Sequence, residues 1–92
     1  MLRSFKSKGL QELFETGKSA MIDKRLHSRI IRRLDALDAA KRVGDVALPG
    51  FGFHPLEGFN PTRYSLHVNG PWCITFEFDG EHAVRVDFEQ YH

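Results

Sequence analysis

Residues 62–88 read TRYSLHVNGPWCITFEFDGEHAVRVDF, and their apolar side chains recur at every second position. Tyr64, Leu66 and Val68 fall on one side of an extended segment. Trp72, Ile74, Phe76 and Phe78 do so in the next, and Val84, Val86 and Phe88 in the last. A period of two is the signature of half-buried strands, and Asn69-Gly70-Pro71 and Asp79-Gly80-Glu81 are turn chemistry between them. The apolar sides of neighbouring strands must coincide, which fixes an expected register. It pairs Val68 with Trp72, Leu66 with Ile74 and Tyr64 with Phe76. In the second hairpin it pairs Phe78 with His82, Phe76 with Val84 and Ile74 with Val86. The stretch is thus predicted to be a three-stranded antiparallel meander. Its second face carries Arg63, Ser65, His67, Cys73, Thr75, Glu77, Arg85 and Asp87, none of which a core needs. That face is expected to be open to solvent or to a ligand.

Upstream the period changes. Leu10, Leu13 and Phe14 predict a helix over Gly9–Thr16, with Gly17 as its stop. From Asp23 to Arg42, Leu26, Ile30, Leu34 and Leu37 form one helical stripe, with Arg25, Arg29, Arg32 and Arg33 on a separate basic stripe beside it. LRSFK at the start suits a brief edge strand. Gly44, Pro49, Gly50 and Gly52 break the helical pattern between the two halves. The expected fold class is therefore α+β, with two N-terminal helices packed on one face of a mostly antiparallel sheet. The 92 residues make one domain, residues 1–92, with no repeat or linker.

A hydrophobic content of 41% with eight Phe predicts a packed chain and not a disordered one. No window reaches the length of a membrane span, and MLRSFKSKGLQELF interleaves charge with its apolar residues, unlike a signal peptide. One cysteine cannot build a disulfide framework or a paired-cysteine metal motif, so the expected address is the cytoplasm. The net charge of +1 conceals a split. Residues 1–42 hold eleven Lys and Arg against five Asp and Glu, whereas residues 43–92 hold two against seven. A polyanion would be drawn to the first half and repelled by most of the second. The four arginines of the second helix suit phosphate, which a guanidinium grips better than an ammonium. A solvated helix face is the other reading of the same residues.

Along nearly its whole length the chain resembles the HigB-type, or plasmid-maintenance killer, toxins of the RelE/ParE superfamily. SFKSKGLQELFETGK, then LDALDAA, HPLEG, RYSLHVNGPW, ITFEF and a terminal Tyr91-His92 occur in the family's order. The resemblance implies a RelE-like fold and ribosome-dependent cleavage of translated mRNA, with neither metal nor cofactor. It implies as partners the ribosome, mRNA and a helix-turn-helix antitoxin, with operator DNA reached only through that antitoxin. No membrane is involved. Metal-free cleavage uses the 2′-OH of the RNA as nucleophile and needs a base, an acid and positive charge on the phosphorane. Imidazole suits proton transfer, with a reference pKa of about 6.5, and aromatic rings hold unstacked bases. The family pattern places these roles on His54, Tyr91 and His92.

Three positions depart from that pattern. Cys73 stands where the family usually has Arg, Gln90 where it has Asp, and Glu57 where Lys is frequent. Each change removes charge that the reaction could use. Arg85, one step from Cys73 in the expected register, is the substitute phosphate-binding cation; a surface bond to Thr75 or Asp87 is the alternative. The departures also admit a weakened relative that binds antitoxin and regulates its operon, and the superfamily admits a gyrase-type poison. A Cys73 nucleophile served by His67 and Asp87 is disfavoured, because opposed strand side chains point outward in parallel.

Overall fold

A computed structural model describes residues 1–91; His92 lies outside the described residues. Helix α1 spans Lys8–Thr16 and α2 spans His27–Ala39, followed by strands β1 (His54–Leu56), β2 (Arg63–Asn69), β3 (Trp72–Asp79) and β4 (His82–Gln90). The strands form one antiparallel sheet in the order β1-β2-β3-β4. The α+β expectation holds: Leu10 and Leu13 of α1 and Ile30, Leu34 and Leu37 of α2 are fully buried with Leu66, Ile74, Phe76 and Val86 of the sheet. No helix among the described residues is long and apolar enough to cross a membrane.

Local chemistry sets the ends. The Ser7 side chain accepts from the Leu10 backbone N–H at 3.1 Å and starts α1. Gly17 ends it in the left-handed region at φ 85°, donating to the Leu13 carbonyl. The second helix is shorter than the 23–42 expected. Asp23 caps a separate 3-10 turn at Lys24–Leu26. At the other end Asp45 accepts from the backbone N–H groups of Lys41 and Arg42 at 3.0 and 3.2 Å, drawing the chain into a second 3-10 turn at Val43–Val46. The opening LRSFK does form an edge: Leu2 and Phe5 bridge in parallel to Ala83 and Val86 of β4. Strand β1, only three residues long, gave no period to read.

The first hairpin keeps the expected pairs from Tyr64–Phe76 through Leu66–Ile74, then shifts so that Asn69, not Val68, faces Trp72. The second departs further. Asp79 pairs with His82 and Phe78 with Ala83, which requires a two-residue turn at Gly80-Glu81. Continued regularly, that register would bury Arg85 and expose Val86. A β-bulge corrects it: the pairing slips between Thr75 and Glu77, and Arg85 lies at φ 52°. Beyond the bulge Val86 is buried, and Thr75 faces Asp87, Ile74 faces Phe88 and Cys73 faces Glu89. Parity assumed a regular ladder; the two-residue turn reversed the facing of residues 82–84, and one inserted residue restored it.

Arg33 departs from its expected role on the basic stripe. It is 5% exposed, and its guanidinium donates to the carbonyls of His67 (2.7 Å), Arg29 (2.9 Å) and Gly50 (3.1 Å) while lying 4.6 Å from the Phe51 ring centroid. It ties α2 to the loop before β1 and to β2, so no phosphate can reach it. Arg33→Met is expected to destabilise by about 2–3 kcal/mol, since hydrogen bonds from a charged group contribute about 1.5–3 kcal/mol. Thermal melting should fall by roughly 10–20 °C for a domain of this size. Arg32→Met, on an exposed residue, should stay within about 0.5 kcal/mol. Equal melting of both variants would contradict this assignment.

Candidate active site

On the face of the sheet turned away from the helices lies a cleft of about 400 Å³ lined by His54, Pro55, Leu56, Glu57, Ser65, Cys73 and Tyr91. Strand β1 forms one wall and the C-terminal residues the other. The loop before β1 is pinned by the His67 backbone N–H, which donates to the Phe51 carbonyl at 2.7 Å. Gly52 passes so close to β2 that a Cβ would sit 2.9 Å from the His67 Cβ, and its φ is +59°, so only glycine fits. Its carbonyl lies 3.3 Å from His54 Nδ1. A carbonyl only accepts, so in the tautomer that donates to it from Nδ1, Nε2 is left to take a proton or, when protonated, to give one. Ser65 Oγ approaches the same Nδ1 at 3.4 Å. Gly52 therefore orients the imidazole, a role that a lone glycine between Phe51 and Phe53 did not announce.

The opposite wall is tied down as well. The Tyr91 backbone N–H donates to the Pro71 carbonyl at 2.6 Å, and the Cys73 thiol points at the Tyr91 carbonyl, 3.7 Å away. His54 and Tyr91 thus line the same cleft, together with Ser65 and Cys73. His92, expected beside them, is outside the described residues. Burial pushes the Cys73 thiol up, and the neighbouring Glu89 carboxylate adds to the shift. The thiol stays protonated near neutrality. It faces Glu89 and not Asp87, so the His67–Cys73–Asp87 row does not form.

The polar face is not open as expected. Arg63, Ser65, Cys73, Thr75 and Glu77 are each at most 9% exposed. Arg63 lies across the sheet, donating to Glu77 Oε2 at 2.7 Å, to Thr75 Oγ1 at 2.9 Å and to the bulge carbonyl of Arg85 at 3.2 Å. Thr75 in turn donates to Glu89. Small residues on the central strands, overlaid by this long side chain, close the middle of the face, while His67 and Arg85 stay exposed at its ends.

Arg85 is not one step from Cys73. The bulge moves it beside Glu77, which accepts from Arg85 Nε at 3.2 Å, while the side chain remains 57% exposed. Glu77 lies four steps along β3 from Cys73, roughly 13 Å along the strand. Arg85 therefore does not replace the cation absent at position 73. Of the basic stripe, Arg25 pairs with Asp23 at 2.8 Å, and hydrogen bonds from Arg25 hold the Asp23 carboxyl down at about 2. Arg29 donates to the Val68 carbonyl at 3.0 Å but is exposed, and so is Arg32. A larger hollow of about 820 Å³ lies between α1 and residues 18–27, but its one imidazole, His27, is bonded through Nε2 to the Ile22 carbonyl.

Comparison with known proteins agrees with this architecture. Residues 3–92 match the model of the family described as RelE-like toxin of type II toxin–antitoxin system HigB. The chain is similar to Endoribonuclease HigB of Proteus vulgaris, with 37% identity over 92 residues spanning the whole of both chains. It is also similar to Toxin HigB-1 of Vibrio cholerae, with 31% identity over 80 residues covering 85% of this chain and 84% of the other. The helix-backed antiparallel sheet and the match from residue 3 to residue 92 agree: this chain belongs to the HigB-like family of RelE-like toxins from type II toxin–antitoxin systems.

Proposed function

We propose that this toxin is a metal-free endoribonuclease that cleaves translated mRNA on the ribosome and so arrests growth, the 92 residues acting as one toxin domain in the cytoplasm. The observation that supports it best is His54, oriented through Nδ1 with Nε2 left for proton transfer, in the same cleft as Tyr91. His92 completes the set on family pattern. The partner we assign is a helix-turn-helix antitoxin that neutralises the toxin and carries it to operator DNA. Primer extension on mRNA from cells expressing the toxin alone tests the reading. Discrete ends within coding regions are expected; arrest without such ends would point to a gyrase-type target instead. A second reading, a weakened enzyme that serves mainly to bind antitoxin, is favoured by one feature of the site. Cys73 puts no cation on the floor of the cleft, and both arginines on that face contact Glu77.

Docking to the ribosome falls to Arg29 and Arg32, with Arg25 partly neutralised and Arg33 buried. Contacts of this kind fix position without reading sequence. The double charge reversal Arg29→Glu, Arg32→Glu is expected to weaken ribosome association about tenfold or more, and to lower the salt slope of binding by about two. Cleavage of naked RNA, already poor beside an acidic second half, should hardly change. Unaltered ribosome binding by a folded variant would exclude this helix face.

A further inference from the structure

The floor beside the cleft ends in a carboxylate to which the family reading gives no role. Ser65 and Thr75 are paired across β2 and β3 and are 1% and 0% exposed. At one end of this rung Ser65 Oγ meets His54 Nδ1 at 3.4 Å; at the other Thr75 Oγ1 donates to Glu89. An imidazole opposite Ser65 and a carboxylate from the neighbouring Cys73 rung thus reach the two ends of this hydroxyl pair. His54 on β1 and Glu89 on β4 flank the central strands, with the Ser65 and Thr75 side chains between them on β2 and β3. Glu89 is no buried structural ion, because its side chain is 41% exposed. The charged group packed against it is Arg63 of β2, whose Nη2 lies 4.0 Å away. Cys73 of β3, its partner in register, feels its charge through the raised thiol. Gln90, where the family has an acid, is the next residue along an alternating strand, so Glu89 and not Gln90 shares the face of Cys73 and Thr75.

We propose that Glu89 is a catalytic residue, the general base that takes the 2′-OH proton of the RNA, and that His54 on the far side of the Ser65–Thr75 rung is the acid. This rests on the endoribonuclease reading above. The proton of the 2′-OH moves to the Glu89 carboxylate as the 2′ oxygen forms its bond to phosphorus. The bond from phosphorus to the 5′ oxygen breaks, and that oxygen takes a proton from protonated His54 Nε2. The products are a 2′,3′-cyclic phosphate and a 5′-hydroxyl, with no oxidant or second reactant needed. Arg63 and Thr75 act as positioning residues that hold the carboxylate at the floor.

The test measures cleavage on mRNA-programmed ribosomes, from acid to alkaline pH, by the wild type, Glu89→Gln and Glu89→Asp. Glutamine keeps an acceptor for Thr75 but cannot take a proton. It is expected to lower the rate about 10²–10³-fold, within the range of a positioned base, and to abolish the fall in rate on the acid side that carboxylate protonation produces. Aspartate should recover most of the rate and restore that acid limb. A Glu89→Gln rate within twofold of wild type overturns the proposal. So does a loss of rate accompanied by lower melting and an unchanged pH profile, which marks a structural carboxylate. Should Glu89→Gln fail to fold, the proposal stands or falls on whether Glu89→Asp shifts the acid limb. A wild type that cleaves no RNA overturns the enzymatic reading and this proposal together, whereas an active wild type with an equally active glutamine variant overturns this proposal alone.

Discussion

Removing the imidazole of His54 with alanine is expected to lower ribosomal mRNA cleavage by about 10²–10⁴-fold, the contribution of a positioned acid or base. The fold should be indifferent to the change. His54 is exposed at the start of β1, and its bond to the Gly52 carbonyl is a long 3.3 Å. Melting should therefore stay within the roughly 0.5 kcal/mol typical of surface substitutions. That combination, a large kinetic loss without a stability loss, separates a working group from a packing one. Gly52→Ala adds a control, because its Cβ would crowd His67 and displace the carbonyl that orients the ring. It should lower both stability and cleavage. Tyr91→Phe should act mildly if the ring only stacks on a base, and as strongly as His54→Ala if its hydroxyl moves a proton. His92→Ala should also lower cleavage, by less than His54→Ala. If His54→Ala cleaves within a few-fold of wild type, the cleft is not the reaction site.

Where the sequence was legible, strong periodicity made it so. The apolar alternation of residues 64–78 gave the first hairpin with its central pairs in register, and the spacing of Leu26, Ile30, Leu34 and Leu37 gave the face of α2. Hydrophobic pattern is silent on the insertion of one residue. The bulge at Arg85 therefore went unread, and with it the displacement of Arg85 from Cys73 to Glu77. A helical wheel also cannot tell a solvated arginine from a buried one. Arg33 sits beside Arg32 in sequence, yet its donors end on three backbone carbonyls, two of them outside its own helix. Those acceptors are set by the loop at Gly50 and by β2, contacts of long range that no local window contains. His54 and Tyr91 were found through family pattern and not from spacing. The structure adds the device that orients His54, the Gly52 carbonyl held by close approach to β2.

Restoring a cation with Cys73→Arg is expected to raise cleavage, by something approaching a hundredfold. A preorganised positive group at the developing phosphorane contributes about 3 kcal/mol, and about 1.4 kcal/mol makes one factor of ten. Position 73 lies at the floor of the cleft between His67 and Glu89, with His54 and Tyr91 above it. A guanidinium there would extend into a cleft of about 400 Å³ and not into the core. The cost to folding should be small, because the substitution gives up only the 3.7 Å thiol contact to the Tyr91 carbonyl and gains the Glu89 carboxylate as a neighbour. Reversal by Cys73→Lys should recover less, since an ammonium lacks the planar fork that grips two phosphate oxygens. The corrected register also changes what Arg85 should do beside it. Roughly 13 Å along the strand, Arg85 can serve a neighbouring phosphate but not the scissile one. Arg85→Ala should then weaken RNA binding by a similar factor in the natural and the Cys73→Arg backgrounds, as independent sites add. A rise in KM with little change in kcat is the expected form of that loss. Were Arg85→Ala damaging in the natural protein and harmless with Arg at position 73, the two cations would share one phosphate, contrary to the bulged register. If Cys73→Arg folds well and cleaves no faster, the transition-state charge is not stabilised at this floor.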